Sequence, residues 1–532
     1  MVVPRLTWPA KAHGGAAHLV LLLLLQAATG SAAFARDAVA GVEVAAPVVN
    51  PCAPIAATDA SWLSGAQGLA PLALQLLRAA PEHGLDIRRY QVDELTRRLA
   101  GPEGTSAAFV RDLDHAMMQY LCDLHGGRAA WASRVSAAPD TGFDPRQRLA
   151  TVRDAQGLAQ AIDAAAPAIP LYGRVKAALA QYRELSRATP DWPALPPVAR
   201  AAIHAGEPYA GAALLRARLQ LLGDLDAQAP MGSDGIYTPA LAGAVRRFQA
   251  RHGLDEDGVL GTGTVTALSV PPAHRVAQLA LTLERLRWLP PPPAHGRVVV
   301  VNVPTYRLWA FDARDNFAAP ALEMRVIVGA RARTPTPLFI GEMRYLEFAP
   351  YWNVPASIQK NEILPKLARN PAYLQQNDME LVGSDGRVLQ VGAGDAASRL
   401  RAGGARVRQR PGSRNVLGDV KFALPNPMNI YLHSTSAREL FQRTHRDLSH
   451  GCIRVEQPAE LAQFVLADPQ QWSGTQVTAA MGAGKNRFVK LAAPVPVVLF
   501  YATALVDRQG RALFAPDIYG RDAALIAALQ LE

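Results

Sequence analysis

The chain has 532 residues, more than the roughly 250 to 300 that one hydrophobic core supports, so several domains are expected. Hydrophobic residues make up 49% of the sequence and charged residues 19%, a globular composition that excludes a largely disordered chain. The formal net charge of +10 comes from dispersed basic residues, without the concentrated stripe or interleaved aromatics that nucleic acids select, so we predict no nucleic-acid partner and a basic surface suited to an anionic polymer.

The first 35 residues have the pattern of a secretory signal peptide. Arg5 and Lys11 precede an apolar run at residues 16–25, and the small residues around 33–35 provide a cleavage site. The apolar run is shorter than a comfortable membrane span. We therefore expect export to the periplasm and association with the cell wall. An uncleaved signal is the alternative, and it would keep the chain close to the membrane.

Export would place the three cysteines of the chain in an oxidising compartment. We predict a disulfide between Cys52 and Cys122, which leaves Cys452 as an unpaired thiol with a reactive role. The alternative is that all three cysteines are free and buried.

Residues 36–205 are rich in alanine and have helical periodicity. Leu69, Leu72 and Leu76 recur at helical spacing, and the segment VKAALAQYRELSR from Val175 consists of good helix formers. We find no set of catalytic residue types in this region. It is therefore predicted to be a helical scaffold domain.

Residues 206–272 contain two similar turn-to-helix units. They are DGIYTPALAGAV from Asp234, with Thr238 as a candidate N-cap, and DGVLGTGTVTAL from Asp257, with Thr262 as a candidate N-cap. Together with the sequence RFQ at 247–249, these units resemble a peptidoglycan-binding domain of the PGBD-like type. The resemblance implies affinity for glycan strands, whereas the phenylalanine of RFQ is expected to serve packing.

The segment 273–296 is predicted to be a linker because it contains the stiff proline block at 290–293. Beyond it, the short β-rich runs VVVVNV from Val298, YRLWAF and MRVIVG predict strands of a β-rich domain. The segment 481–532 is predicted to be a C-terminal tail with a β-hairpin around Gly510.

The sequence SHGCIR at residues 449–454 follows His433, which lies in YLHST. The positive side chains of His450 and Arg454 predict surroundings that favour the thiolate form of Cys452. A thiol with a nearby histidine can act as a nucleophile for acyl transfer. The alternatives are that Cys452 is a buried small hydrophobe and that His433 is a core histidine.

Residues 297–480 resemble an L,D-transpeptidase catalytic domain of the YkuD type. The family pattern is a histidine followed, after a variable gap, by [ST]-H-G-C, a hydrophobic residue and Arg or Asn, and this chain matches every position. YWNVPASIQKNEILP from Tyr351 and RPGSRNVLGDVKF from Arg410 resemble the large YcbB-like branch. The predicted fold is multidomain α+β: a helical scaffold and a small helical peptidoglycan-binding domain, followed by a β-rich catalytic domain.

The resemblance implies a role for each residue of the catalytic centre. Cys452 is the nucleophile and His433 the proton donor and acceptor. The backbone carbonyl of Ser434 orients His433, and the backbone amides at Gly451 and Cys452 form the oxyanion hole.

Four further residues are expected to shape the substrate-binding site: Ser449, His450, Arg454 and Trp352. For Arg454, binding a substrate carboxylate and locking the loop are equally compatible with the sequence. The segment 351–387 is predicted to be a lid, or alternatively an insertion packed on the sheet, in which case Trp352 serves packing.

The resemblance also implies the reaction: an acyltransferase that cuts peptidoglycan stem tetrapeptides, releases D-alanine and forms 3→3 cross-links during cell-wall biogenesis. No metal and no organic cofactor is expected. Two alternatives remain open from the residues. One is an L,D-carboxypeptidase, in which water takes the acyl group, and the other is a non-catalytic peptidoglycan-binding scaffold.

Overall fold

The computed structural model describes residues 61–64, 68–129, 143–198, 202–229, 235–315, 317–392 and 394–530. The predicted signal peptide and Cys52 lie outside these ranges. Within them, no helix combines the length and the apolar character that a membrane crossing requires.

The helices share a simple order along the chain, with most of them before residue 288. They are α1 (Ser61–Ser64), α2 (Leu69–Arg78), α3 (Val92–Leu99), α4 (Ala107–Gly126), α5 (Pro145–Ala150), α6 (Ala155–Ala165), α7 (Pro170–Ala188), α8 (Ala212–Leu221), α9 (Pro239–Arg251), α10 (Thr262–Leu268), α11 (Pro272–Arg287), α12 (Ala356–Ile358), α13 (Leu364–Arg369), α14 (Tyr373–Gln376), α15 (Ala396–Arg401), α16 (Pro458–Leu466), α17 (Gly474–Gly482) and α18 (Arg521–Leu529).

The strands lie mostly after residue 296. They are β1 (Ala202–Ile203), β2 (Leu260–Gly261), β3 (Arg297–Asn302), β4 (Arg307–Asp312), β5 (Leu322–Gly329), β6 (Ile340–Phe348), β7 (Trp352–Asn353), β8 (Met379–Gly383), β9 (Ala405–Gln409), β10 (Val420–Ala423), β11 (Leu432–His433), β12 (Asp447–Ser449), β13 (Ile453–Val455), β14 (Arg487–Phe500), β15 (Ala504–Val506) and β16 (Ala512–Phe514).

The first core is helical and is centred on α4. This helix begins where the Ser106 hydroxyl accepts a hydrogen bond from the Phe109 amide at 3.1 Å, as an N-cap does. Its buried face, including Leu113, Met117 and Leu121, packs against α2, α3, α5 and α6. The predicted helical scaffold is confirmed.

A second, smaller helical core comprises α8, α9 and α10, closed by the two-stranded sheet of β1 and β2. Thr238 caps α9, because its hydroxyl accepts from the Leu241 amide at 3.3 Å. Thr262 is instead the first residue of α10, which follows Gly261 without a side-chain cap, so the prediction that Thr262 is an N-cap is wrong. Phe248 is 1% exposed and belongs to this core. The expectation that this phenylalanine serves packing is confirmed.

The predicted linker 273–296 is largely a helix, so this prediction is wrong for most of its length. Proline at the start of α11 occupies a position where no amide hydrogen bond is lost. Leu279, Leu283 and Leu286 then recur at helical spacing and are buried against α7. Residues 288–296, which include the proline block at 290–293, connect α11 to β3 in an irregular conformation.

The third core lies inside a nine-stranded sheet. The strand order is β12-β5-β13-β11-β10-β6-β14-β3-β4, and β4 also pairs with β5, so the sheet closes on itself. Its interior is filled by buried residues such as Val299, Leu346, Phe422 and Leu432, and α16 and α17 contribute Leu461 and further apolar side chains. The β-rich fold predicted for this part of the chain is confirmed.

The predicted tail 481–532 contributes its first strand, β14, to this sheet. Strand β14 lies between β6 and β3, so a boundary at 480 separates a central strand from its partners. The hairpin around Gly510 is present as β15 and β16, and Gly510 has the positive φ of 79° that a tight turn favours. This hairpin packs against α7 and α11, and helix α18 follows it.

Residues 351–417 form a subdomain that is inserted between β6 and β10. It has a three-stranded sheet in the order β7-β9-β8 and its own core, which includes Trp352, Ile363, Leu381 and Val407. We call it the insertion. The predicted lid 351–387 is its first part, and it extends further because β9 completes the small sheet.

Candidate active site

The site forms where two neighbouring strands of the sheet run parallel. Strand β11 pairs with β13, with His433 opposite Arg454, and the Ile453 amide donates to the Tyr431 carbonyl at 3.1 Å. Cys452 immediately precedes β13. The register therefore places Cys452 beside Tyr431, two residues before His433 on the neighbouring strand.

His433 is held in one orientation by the backbone. Its ring is 5% exposed, and Nδ1 lies 2.5 Å from the Ser434 carbonyl oxygen. Because a carbonyl only accepts, Nδ1 carries the hydrogen of the neutral ring and Nε2 carries the lone pair. The Leu417 backbone also acts on this ring and, like Ser434, favours its protonated form. Burial lowers the pKa of His433 to about 3, and the positive charge of Arg454 acts in the same direction.

Cys452 is a free cysteine, and its Sγ lies 3.7 Å from the Asn429 carbonyl oxygen. Burial of the sulfur raises the pKa of the Cys452 thiol, although polar contacts from Tyr431 and the charges of Lys421 and Arg454 oppose the rise. The charge of Arg454 favours the thiolate, as expected, but desolvation outweighs it, and His450 is not among the groups that act on the thiol. At rest the pair consists of a neutral thiol and a neutral imidazole.

Cys122 is disulfide-bonded, whereas its predicted partner Cys52 lies outside the described residues. Cys122 is also fully buried on α4. Cys452 therefore differs from it in both bonding and exposure, as an unpaired nucleophile requires.

Tyr431 is a site residue that sequence reasoning did not identify. Its side chain and backbone both act on the Cys452 thiol, and its ring centroid lies 5.7 Å from that of His433 in an edge-on arrangement. The Lys421 ammonium lies 4.5 Å from the Tyr431 ring centroid, as in a cation–π contact. The available signal was its position two residues before His433, since alternate residues of a strand share a face.

The loop of the catalytic cysteine is fastened by Ser449. The Ser449 hydroxyl accepts from the Gly451 amide at 3.1 Å and donates to the Cys452 carbonyl at 2.6 Å. Gly451 has a φ of 112°, which an L side chain rarely adopts. Ser449 is buried, and both hydrogen bonds of its hydroxyl lie within the loop. It therefore shapes the loop and does not present its side chain to a substrate.

The structure differs from the predicted oxyanion hole at the Gly451 amide. The Gly451 amide is already bound to Ser449, so it is not free to meet an oxyanion. The Cys452 amide has no hydrogen-bond partner among the residues that the structure describes. The geometry thus favours the Cys452 amide over that of Gly451 as the oxyanion donor.

His450 is exposed and is directed at the insertion. Its Nε2 lies 2.6 Å from the Glu362 carboxylate, in the helical segment Gln359–Ile363. Trp352 is 9% exposed in the core of the insertion, which supports the packing interpretation. His450 therefore joins the catalytic loop to the insertion, and Trp352 supports the insertion from inside.

Arg454 is half-buried beside the catalytic pair. Its Nε is buried and has no hydrogen-bond partner in the described part of the chain. Burial lowers the pKa of Arg454, while the charge that Cys452 and Glu439 carry when ionised raises it. Locking the loop would require hydrogen bonds from this guanidinium, so the geometry favours the alternative, an anion-binding role.

Three segments match known protein families. Residues 296–489 match the L,D-transpeptidase catalytic domain (YkuD), residues 58–179 match the "Scaffold domain" and residues 210–268 match the "Putative peptidoglycan binding domain". A Haemophilus influenzae protein named "Putative L,D-transpeptidase" is 33% identical over 245 residues. The match covers 46% of this chain and 48% of that relative, so it spans about half of the relative's length.

Two solved structures are also similar to parts of the chain. The L,D-transpeptidase of Xylanimonas cellulosilytica is 17% identical, with a TM-score of 0.18, over 57% of this chain and 100% of its own. The L,D-transpeptidase of Stackebrandtia nassauensis is 12% identical, with a TM-score of 0.21, over 58% of this chain and 97% of its own.

Proposed function

We propose that this chain forms 3→3 cross-links between peptidoglycan stem peptides, because residues 296–489 match the L,D-transpeptidase catalytic domain and two further segments match a scaffold domain and a putative peptidoglycan-binding domain. The observation that carries the proposal is the neutral Cys452–His433 pair. His433 Nδ1 is fixed by the Ser434 carbonyl, which leaves Nε2 to receive the thiol proton.

The first half of the reaction makes a thioester. As the Cys452 sulfur bonds to the carbonyl carbon of the diamino acid, its proton passes to His433 Nε2. The Cys452 amide donates to the oxyanion that develops. When the tetrahedral intermediate collapses, the bond to D-alanine breaks, and His433 returns the proton to the leaving amine.

The second half transfers the acyl group. Neutral His433 takes a proton from the side-chain amine of an acceptor stem, and that amine attacks the thioester carbonyl. The carbon–sulfur bond breaks, and the proton returns to the Cys452 sulfur. No proton or electron is gained or lost over the cycle. Because both groups are neutral at rest, each half-reaction starts from a competent protonation state.

Arg454 is proposed to bind the terminal carboxylate of the donor stem. A half-buried guanidinium whose Nε lacks a partner in the described structure is costly until an anion meets it. The free carboxylate of the terminal D-alanine lies two bonds from the nitrogen of the bond that breaks. This role would select the tetrapeptide donor over a tripeptide.

The signal pattern at residues 1–35 supports the proposal that the enzyme works outside the cytoplasm, in the periplasm and at the cell wall. Purified protein is incubated with disaccharide-tetrapeptides, and the products are identified by mass spectrometry beside those of Cys452→Ala. Cross-linked dimers from the wild type alone support transfer. Tripeptide monomers without dimers would instead identify an L,D-carboxypeptidase, and unchanged turnover by Cys452→Ala would refute the cysteine mechanism.

A further inference from the structure

Half of the net charge of the chain lies in the insertion. Residues 351–417 contain ten Lys and Arg against five Asp and Glu, a net charge of +5 out of +10 for all 532 residues. The flanking parts of the catalytic domain, residues 297–350 and 418–480, contain twelve basic and eleven acidic residues. The positive charge is therefore a property of the insertion and not of the catalytic domain as a whole.

Acidic residues of the insertion neutralise only some of its cations. Four carboxylates of the insertion each pair with at least one of its basic side chains. Four of these five ion pairs measure 3.5 to 4.0 Å, and the pair of Arg408 with Glu380 is closer. Five exposed cations have no carboxylate at ion-pair distance among the described residues. They are Lys360, Arg369, Arg399, Arg401 and Arg406, which we call the cationic surface.

Part of the cationic surface is carried by two helices that pack on the core of the insertion. Arg369 ends α13, and Arg399 and Arg401 lie in the last turn of α15, which packs against α13. Beneath them, Leu367 and Leu400 are 3% and 4% exposed in the core of the insertion. The three arginines are therefore carried by two helices that pack against each other on the core of the insertion.

The surface adjoins the catalytic loop. Lys360 lies two residues before Glu362, whose carboxylate is 2.6 Å from His450 Nε2. His450 in turn is two residues before Cys452. A polymer that lies along the insertion from Lys360 onward would thus reach the catalytic loop.

We propose that the cationic surface binds the free carboxylates of peptidoglycan stem peptides and holds the strand that reacts at Cys452. The identity of this ligand rests on the proposed function, because stem peptides carry several carboxylates close to the reacting amide. Arginine suits such a partner, since its planar fork pairs with carboxylate oxygens. A lipid surface fits less well, because only Val388 is a large exposed hydrophobic in the described part of the insertion, and lipid-binding surfaces combine cations with apolar residues.

Binding is tested in the full-length Cys452→Ala protein, so that no turnover occurs. The ligands are soluble disaccharide-tetrapeptide oligomers with free carboxylates and the same oligomers with amidated carboxylates. We expect tighter binding of the free form and a decline in affinity as salt increases. Arg399→Glu/Arg401→Glu should weaken binding of the free form by about tenfold and reduce its dependence on salt.

Arg111→Glu/Arg148→Glu is the matched control, because both arginines are exposed on scaffold helices and have no ion pair there. It should leave affinity unchanged. Equal affinity for free and amidated oligomers, or an α15 variant that binds like the control, overturns the proposal. Binding of anionic vesicles in place of stem peptides also overturns it, in favour of a lipid partner.

The test separates this proposal from the proposed function. If the wild type makes no cross-links while the Cys452→Ala protein still prefers acidic oligomers, the function fails and the cationic surface stands. If cross-links form but charge reversal leaves both binding and the KM for oligomers unchanged, the function stands and the cationic surface fails.

Discussion

At the scale of single residues, the protonation state of the catalytic pair follows from burial. His433 and Cys452 both lie among packed side chains, so the charged form of each is disfavoured. A thiolate–imidazolium pair at rest would require the positive neighbours to outweigh the rise that burial causes in the pKa of the Cys452 thiol, and they do not. The enzyme is thus expected to generate the thiolate during attack and not before it.

The acid limb of the pH profile tests this state. Because the pKa of His433 is lowered to about 3, the imidazole stays neutral and able to accept a proton well below the usual range of histidine. The value of kcat/KM should therefore stay flat between pH 5 and pH 7. A histidine of ordinary pKa would lose about thirtyfold at pH 5, so an inflection near pH 6.5 would show that His433 is not desolvated as described.

Tyr431→Phe tests the contact between the phenol and the thiol. The change removes one polar contact that favours the ionised sulfur and keeps the ring beside His433 and Lys421. We expect kcat to fall roughly tenfold, in line with the loss of one hydrogen bond to a charged group, with little change in thermal stability. Wild-type kcat in this variant would leave Tyr431 a packing role only.

Arg454→Lys tests how the donor carboxylate is bound. Lysine keeps the charge but lacks the planar fork, so the KM for tetrapeptide should rise several-fold, by up to about tenfold. The rate at which iodoacetamide alkylates Cys452 should change much less, since that reagent carries no carboxylate. A KM that matches the wild type would return Arg454 to the loop-locking alternative.

At the scale of elements, the C-terminal segment contributes to the catalytic loop. The Tyr519 hydroxyl donates to the Gly329 carbonyl at 2.6 Å and accepts from the Thr336 amide at 3.1 Å. The Thr336 hydroxyl then donates to the Gly451 carbonyl at 2.8 Å. Residues after the predicted domain boundary therefore help to position the loop that carries Cys452.

Tyr519→Phe breaks this chain of hydrogen bonds at its outer end. We expect kcat to fall several-fold with KM unchanged, because the loop shifts while the substrate-binding residues stay in place. The free energy of unfolding should fall by about 1 kcal/mol. Tyr345→Phe is the matched control, since the Tyr345 ring lies on β6 beside Phe488 and has no hydroxyl hydrogen bond among the described contacts. Equal kcat values in the two variants would argue against a positioning role for Tyr519.

Local signals in the sequence predict elements well where one element carries the whole signal. Thr238 caps α9 and the runs from Val298 and Met324 form strands, as their residue types indicate. The sequence does not predict helix α11, because the proline block that follows it dominates the local pattern and indicates a linker. The position of β14 in the sheet depends on pairing with strands more than a hundred residues away, and no local pattern encodes that pairing.

The residues of the candidate site likewise differ in whether a local sequence pattern identifies them. The motif identifies Cys452 and His433, whereas the place of Tyr431 depends on the register between β11 and β13. The Gly451 amide and the thiol illustrate a further limit. The Gly451 amide is bound to the Ser449 hydroxyl, and burial decides the ionisation of the Cys452 thiol. Neither fact follows from the residue types alone.

In the molecule as a whole, polar contacts join the second helical core to the C-terminal hairpin and to the nine-stranded sheet domain. Arg251 of α9 binds the Asp224 carboxylate and donates to the Ala512 carbonyl of β16 at 2.8 Å. Thr444, in the loop before β12, donates to Asp255 of the peptidoglycan-binding domain. This domain therefore contacts both the C-terminal hairpin and the approach to the catalytic loop.

Arg251→Ala tests the first of these connections. The change leaves the buried Asp224 carboxylate without its partner, which typically costs about 3 to 5 kcal/mol of unfolding free energy. Denaturant unfolding should show this loss, whereas Arg246→Ala, on the exposed side of the same helix, should cost less than about 1 kcal/mol. Similar losses in the two variants would mean that the Arg251–Asp224 pair does not stabilise the junction.

A covalent acyl-enzyme on Cys452 can be detected in the intact mass of the protein after brief mixing with a stem tetrapeptide. We expect an added mass equal to that of the tetrapeptide minus D-alanine, located on the peptide that contains Cys452. The adduct should be absent from Cys452→Ala and should disappear when an acceptor amine is added. Turnover of the tetrapeptide without any such adduct, or an adduct on another residue, would contradict it.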